Sequence, residues 1–191
     1  MKNTLIEDVT KLYEKSDKAH NMDHINVVLS KVDRIATLAK LSANEKYLLT
    51  IAAYCHDIYA TKDRINHHTL AGAWCEITLP DYGFSRQDTR IVASACSEHR
   101  ASYVGEFSNI VSECLSICDR SIGKVEDMVA RSIEYQLAHT RCMQRQARAF
   151  AIRHVKEKYG KGGYAYNNAS KLFYNFYESE LKKMWKEIDK L

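Results

Sequence analysis

The sequence predicts an all-α fold. One proline, Pro80, and seven glycines in 191 residues leave long stretches without a helix breaker. Apolar residues recur at three- and four-residue intervals nearly throughout, the period of a helix with one buried face. Residues that start helices stand where several of these periodic runs begin.

The elements follow in chain order. Leu5, Val9, Leu12 and Tyr13 mark a first helix. Asp23 is placed to N-cap a second, which carries Ile25, Val28, Leu29, Val32, Ile35 and Leu38. Ser42 with Glu45 forms a capping box for a third, whose apolar run from Leu48 to Cys55 ends on His56 and Asp57. The polar stretch from Tyr59 to Asn66 interrupts the pattern. A short helix from about His67 reaches Leu79 and is stopped by Pro80. Ser85 with Asp88 opens the next, which runs to about His99, and Ile110 to Asp119 forms a further apolar helix. In the C-terminal third, one helix extends from about Val125 toward Tyr159, with Gly160 as its stop. A long C-terminal helix runs from about Asn168 to the end. Its stripe of Leu172, Phe173, Phe176, Tyr177, Leu181, Trp185 and Ile188 is expected to be core, with a homodimer face as the alternative.

The length suits a single domain, 1–191, large enough to bury a core. The net charge of +4 fits an acidic small ligand such as a nucleotide. It is too small to point to nucleic acid by itself, so a nucleic-acid partner is not expected. The six cysteines lie mostly among apolar residues and form no CxxC pair, which predicts reduced, buried thiols. Cys114 and Cys118 share a helix face, but two thiols without partners make a weak zinc site. The turn Gly160-Lys161-Gly162-Gly163 lacks the spacing of a phosphate-binding loop and reads as a connection. No apolar run approaches a membrane span, and the opening MKNTLIEDVTKLYEK has no apolar signal core. A cytoplasmic protein with no membrane partner is expected.

The chemistry lies in the order His24, then His56–Asp57, then Asp119. Adjacent helical residues point about 100° apart, so a His-Asp dipeptide can serve one ion only near a helix end, with other segments closing the site. The break after Asp57 meets that condition. Imidazole suits Mn2+, Fe2+, Co2+, Ni2+ and Zn2+, and carboxylate accepts these and Mg2+. Two histidines and two carboxylates leave open positions for water and substrate, as a catalytic site requires.

In this context the residues resemble the HD-domain metal-dependent phosphohydrolases, of the small single-domain type. The matching stretches are Asn21-Met22-Asp23-His24-Ile25-Asn26-Val27-Val28, Ala52-Ala53-Tyr54-Cys55-His56-Asp57-Ile58-Tyr59 and Ile117-Cys118-Asp119-Arg120. The resemblance implies a compact multi-helix bundle with its metal-site core at about 20–125 and a helical extension at about 126–191. It implies His24, His56, Asp57 and Asp119 as ligands of a divalent ion, Mn2+ first. His68 and His99 match points where some members hold a second metal or contact the substrate phosphate. A structural role is equally open for both, and His67 fits that helix phase less well. His20 is expected in a loop. Many members follow the His-Asp pair with a glycine and lysine, or with a glutamate a turn later; the glycine and the near glutamate are missing here. Lys62, Arg64, Arg100 and Lys124 are therefore candidate phosphate contacts, with a solvated surface as the alternative, and Asp63 is a candidate acid or base.

The implied reaction is hydrolysis of a nucleotide or another small phosphate ester or anhydride, by metal-activated water attacking phosphorus. Asp57, His68 and His99 are its candidate catalytic residues, the histidines to orient water or move a proton. Two alternatives stand beside it: a mixed-ligand di-iron oxygenase on the same fold, and a nucleotide-binding protein without turnover.

Overall fold

The computed structural model describes residues 2–14, 16, 20–166 and 169–191, and among these it contains helices and no strand. The chain divides into two compact units, Met1–Arg120 and Ser121–Leu191.

The first unit is built around α4 (Ala43–Cys55). Its capping box forms as expected, with Ser42 Oγ accepting from Glu45 N and the Glu45 carboxylate accepting from Ser42 N. Leu48, Leu49, Ile51, Ala52, Ala53 and Cys55 are all buried, so the helix is apolar around most of its circumference. Such a helix must be surrounded. Around it pack α1 (Lys2–Leu12), α2 (Met22–Leu29), α3 (Val32–Ala39), α6 (Arg86–Glu98) and α7 (Ile110–Asp119). The C-terminal end of α4, where His56 and Asp57 stand, therefore opens inside the bundle.

Between α4 and α6 lies α5 (His67–Thr78), packed along α6. The approach is close at Gly72, where a Cβ would lie 2.0 Å from Ser97 Oγ and 2.9 Å from the Ala93 carbonyl oxygen. Leu79–Tyr82 then makes a 3-10 turn that contains Pro80. Ser85 caps α6 and Asn109 caps α7, each accepting from a backbone N–H of the first turn.

Two boundaries in this unit differ from the sequence reading. The cap of α2 is Asn21, whose Oδ1 accepts from Asp23 N and His24 N, and Asp23 sits inside the first turn. The long second helix is two helices, broken at Ser30 and Lys31. There Lys31 turns its ammonium to the carbonyls of Cys118 at 2.7 Å and Arg120 at 2.6 Å. Leu38 is accordingly exposed, on the side of α3 away from the core.

The second unit contains α8 (Val125–His139), α9 (Gln144–Tyr159), a 3-10 turn at Tyr164–Tyr166, α10 (Lys171–Phe176) and α11 (Glu178–Ile188). The single helix expected from Val125 toward Tyr159 is broken between Thr140 and Met143, both in extended conformation. The break lets α9 fold back on α8, so that Met128 and Val129 are buried in one helix and Ala147, Ala151 and Val155 in the other. No proline or glycine marks the break; tertiary burial decides it. Gly160 ends α9 in an extended conformation, and a Cβ there would meet the Lys156 carbonyl oxygen at 2.4 Å. The long C-terminal helix is likewise interrupted, at Tyr177, and its expected start at Asn168 lies outside the described residues. Phe173, Phe176 and Tyr177 are core residues, and the half-buried Trp185 donates its indole N–H to the Tyr159 carbonyl.

Candidate metal centre

Four separate helix ends deliver the side chains. His24 stands in the first turn of α2, His56–Asp57 just after α4, His99 just after α6, and Asp119 is the last residue of α7. Lys31 secures the Asp119 end, since its ammonium bonds two carbonyls of a helix terminus that lack intrahelical partners.

His24 Nε2 lies 3.1 Å from Asp119 Oδ1 and 3.5 Å from Asp57 Oδ2. His56 Nε2 lies 3.4 Å from Asp57 Oδ2 and 3.6 Å from Asp119 Oδ1. On the other side of the same carboxylate, Asp57 Oδ1 is 3.3 Å from His67 Nε2 and 3.6 Å from His99 Nε2. The structure thus brings His24, His56, Asp57, His99 and Asp119 together. It adds His67 in place of His68. Asp57 Oδ1 and Oδ2 face different histidines, so the carboxylate stands between two donor sets.

Three of the imidazoles are aimed by main-chain carbonyls three residues back. Nδ1 of His56 meets Ala53 O at 2.9 Å, Nδ1 of His67 meets Arg64 O at 3.0 Å, and Nδ1 of His99 meets Cys96 O at 2.7 Å. A carbonyl can only accept, so the proton belongs on Nδ1 and Nε2 is turned to the centre. This is the outer arrangement that holds metal-binding histidines in one tautomer.

Electrostatics follow from burial and the two carboxylates. Burial alone would lower the His56 pKa, but Asp57 and Asp119 outweigh it and raise the group to about 9. Burial, with His56 beside it, pushes His99 down to about 4, so this ring is neutral at physiological pH. For Asp57, burial is outweighed by His56, His67 and His99, which hold the carboxyl below its usual range. For Asp119, burial is outweighed by the neighbouring imidazoles of His24 and His56, which hold the carboxyl below its usual range. The centre is thus a place where negative charge is kept ionised in a buried setting.

These donors fit a divalent cation. One ligand atom each from His24, His56 and Asp119 lie within 4.8 Å of one another, as do those from His56, Asp57 and His99. The Nε2 atoms of His24 and His56 are buried without a well-formed hydrogen bond. Buried imidazole nitrogens facing ionised carboxylates at these distances are arranged as a coordination shell is.

A cavity of about 320 Å³ opens beside the centre, lined by His20, Arg64, Arg100 and Ser102 together with the cluster. Two of the expected phosphate contacts, Arg64 and Arg100, are on its wall; Arg100 also donates to Ile65 O at 2.8 Å. The others are elsewhere. Lys62 lies over the Tyr59 ring at 5.4 Å, and Lys124 precedes α8 in the second unit. Asp63 is engaged as a turn cap, accepting from Ile65 N, Asn66 N and Asn66 Nδ2, so it is not placed as an acid or base for this cavity. His68 lines a neighbouring pocket with Ser97 and Tyr103. Of the His67–His68 pair it is thus His67, and not the expected His68, that stands beside Asp57, its ring aimed by the turn before α5. His20 lies in a loop, as expected, and its ring centroid is 6.5 Å from that of His24 and 6.4 Å from that of His67. Cys114 and Cys118 are buried thiols, raised to about 12 by burial and, for Cys114, by Cys118.

No family model matches the chain, and no curated protein does. Among solved structures, the chain is similar to a crystal structure described as a predicted HD superfamily hydrolase, from an uncultured Thermotogales bacterium. The similarity covers 81% of this chain and 87% of that one, with a TM-score of 0.53 and 20% sequence identity.

Proposed function

The chain has the all-α fold of the HD superfamily, and from that premise we propose that it is a metal-dependent phosphohydrolase for a nucleotide or another small phosphate ester or anhydride. What carries the reading is the convergence of His24, His56, His67 and His99 on Asp57 and Asp119, beside a cavity with Arg64 and Arg100 on its wall. A divalent cation bound there supplies Lewis acidity and a water of lowered pKa. Mn2+ suits the mixed imidazole and carboxylate set, and Fe2+, Co2+, Ni2+, Mg2+ and Zn2+ are compatible with it.

The roles of the residues follow from their places. Asp57 and Asp119 keep the negative charge that holds a cation in a buried site. His24 and His56 complete the first donor set. His67 and His99 face the other oxygen of Asp57 and form the candidate second set; with one ion bound, the neutral His99 would orient water. Arg64 and Arg100 bind phosphoryl oxygens and offset the charge that grows on them.

The test joins metal analysis of the protein as isolated to a phosphate-release screen over nucleotides with each of these ions, using Asp57→Ala as control. Loss of bound metal and of turnover in the variant is expected. Full activity of Asp57→Ala rules the site out. Nucleotide binding without turnover under every ion makes the chain a binding protein, and iron-dependent oxygen uptake makes it an oxygenase.

A further inference from the structure

The groove between α8 and α9 carries chemistry that a hydrolytic centre in the first unit does not use. From α8 it is lined by Met128, Arg131, Ser132, Tyr135 and Gln136, which fall on one face at helical spacing. From α9 come Phe150, His154, Val155, Lys158 and Tyr159, and the groove encloses about 440 Å³. Buried Met128 and Val155 form an apolar floor. On the rims, Tyr135 is 60% and Phe150 36% exposed, large aromatic surface that the fold leaves in solvent. The cations are interleaved with rings. Arg153 sits 5.6 Å over Phe150, Lys158 lies 5.2 Å from the Tyr159 ring and 6.0 Å from Tyr164, and His154 stacks on Phe150 at 5.9 Å. Among the described residues, no carboxylate lines the groove.

Charge is distributed in the same sense. Residues 121–191 carry 14 Lys and Arg against eight Asp and Glu, whereas residues 1–120 carry 14 against 16. The mild +4 of the whole chain is the sum of a slightly acidic unit and a strongly basic one. Arg145, Arg148 and Lys156 add exposed positive charge elsewhere on α9. A single small anion would not use cations spread over two helices, but a chain of phosphates would.

We propose that the α8–α9 groove binds single-stranded nucleic acid, with bases stacked on Tyr135 and Phe150 and phosphates paired with Arg131, Arg153 and Lys158. Stacking on aromatic rings beside a cationic track is the physical basis of strand binding without sequence preference. The proposal is independent of the metal centre.

Fluorescence anisotropy of a labelled oligothymidylate, titrated with the full chain over a range of salt, tests it. Tyr135→Ala/Phe150→Ala should weaken binding roughly tenfold or more. Arg131→Ala/Lys158→Ala should flatten the log–log salt dependence by about 1.4, since each phosphate contact to a single strand contributes about 0.7. Lys183→Ala, an exposed cation on α11, should bind like the parent. Because the rim side chains are solvent-exposed, the variants should melt with the parent. The proposal is overturned if the strand is not bound or if both groove variants bind it unchanged. It is equally overturned if vesicles of anionic lipid are preferred, or if an equimolar mononucleotide displaces the strand.

Discussion

The Nε2 atoms of His67 and His99 lie 3.4 Å apart and share Asp57 Oδ1 as their neighbour. His68, one residue on, takes no part in this contact and lines a different pocket. Replacing His67 with alanine should therefore lower turnover by at least the roughly 10–100-fold that loss of an outer partner of a metal costs. His68→Ala should retain the parent's metal content. Steady-state rates and metal stoichiometry of the two variants, measured side by side, check this; equal stoichiometric loss in both would sink it.

The centre should also impose a pH dependence on the metal-free protein. His56 is raised from 6.5 to about 9 in the folded state. The stability it contributes is complete below 6.5 and is lost as pH rises toward 9. His99 is lowered from 6.5 to about 4, so stability declines as pH falls from 6.5 toward 4, where the unfolded chain takes up a proton that the folded one refuses. Together they place the stability maximum of the metal-free chain near 6.5. Because an ion must displace the His56 Nε2 proton, apparent metal affinity should climb with pH up to about 9. Denaturant melts after chelation, and competitive metal titrations, measure the two trends; an affinity that falls across the alkaline arm contradicts the second.

Lys31 should matter out of proportion to its place in a helix break. Its ammonium satisfies two carbonyls at the end of α7, next to Asp119. Lys31→Met keeps the apolar stem and removes both bonds. A loss of roughly 1–3 kcal/mol is expected from the carbonyls left without a partner. Metal affinity should fall as well, because Asp119 loses its anchor. Normal affinity in a destabilised variant would separate Lys31 from the site.

Gly72→Ala tests the close approach of α5 to α6. The new Cβ would meet Ser97 Oγ at 2.0 Å and Ala93 O at 2.9 Å. The expected cost is roughly 1–3 kcal/mol of stability, read by thermal or chemical unfolding. Adding Ser97→Ala removes the nearer clash and should recover part of it. Full stability of the single variant would mean that the helices separate more easily than their packing implies.

The fold and most of the cluster could be read from residues alone where local chemistry decides the outcome. The caps at Ser42 and Ser85 and the span of α7 coincide with their helices because side chain and backbone settle them within one turn. His24, His56, Asp57 and Asp119 were legible as an ordered set, and the structure places them together. The breaks at Thr140–Met143 and at Tyr177 were not legible, since no glycine or proline makes them. Nor was Lys31, whose partners are 87 and 89 residues away in sequence. Nor was the part played by Glu98, which reaches past the turn to hold Ser108 through its backbone N–H and hydroxyl, tying down the loop that carries the cavity residues Arg100, Ala101 and Ser102.

The carbonyls of Ala53, Arg64 and Cys96, which aim His56, His67 and His99, are contributed by the main chain. Any residue that does not distort the turn can supply that acceptor, so the aim of the imidazoles does not depend on the side chains at those three positions, although buried Ala53 and Cys96 and the cavity-wall Arg64 are held by other contacts. In an evolving lineage the orientation of the centre would thus be inherited with the helix ends themselves, and the surrounding wall could change its substrate while the donors stayed aimed.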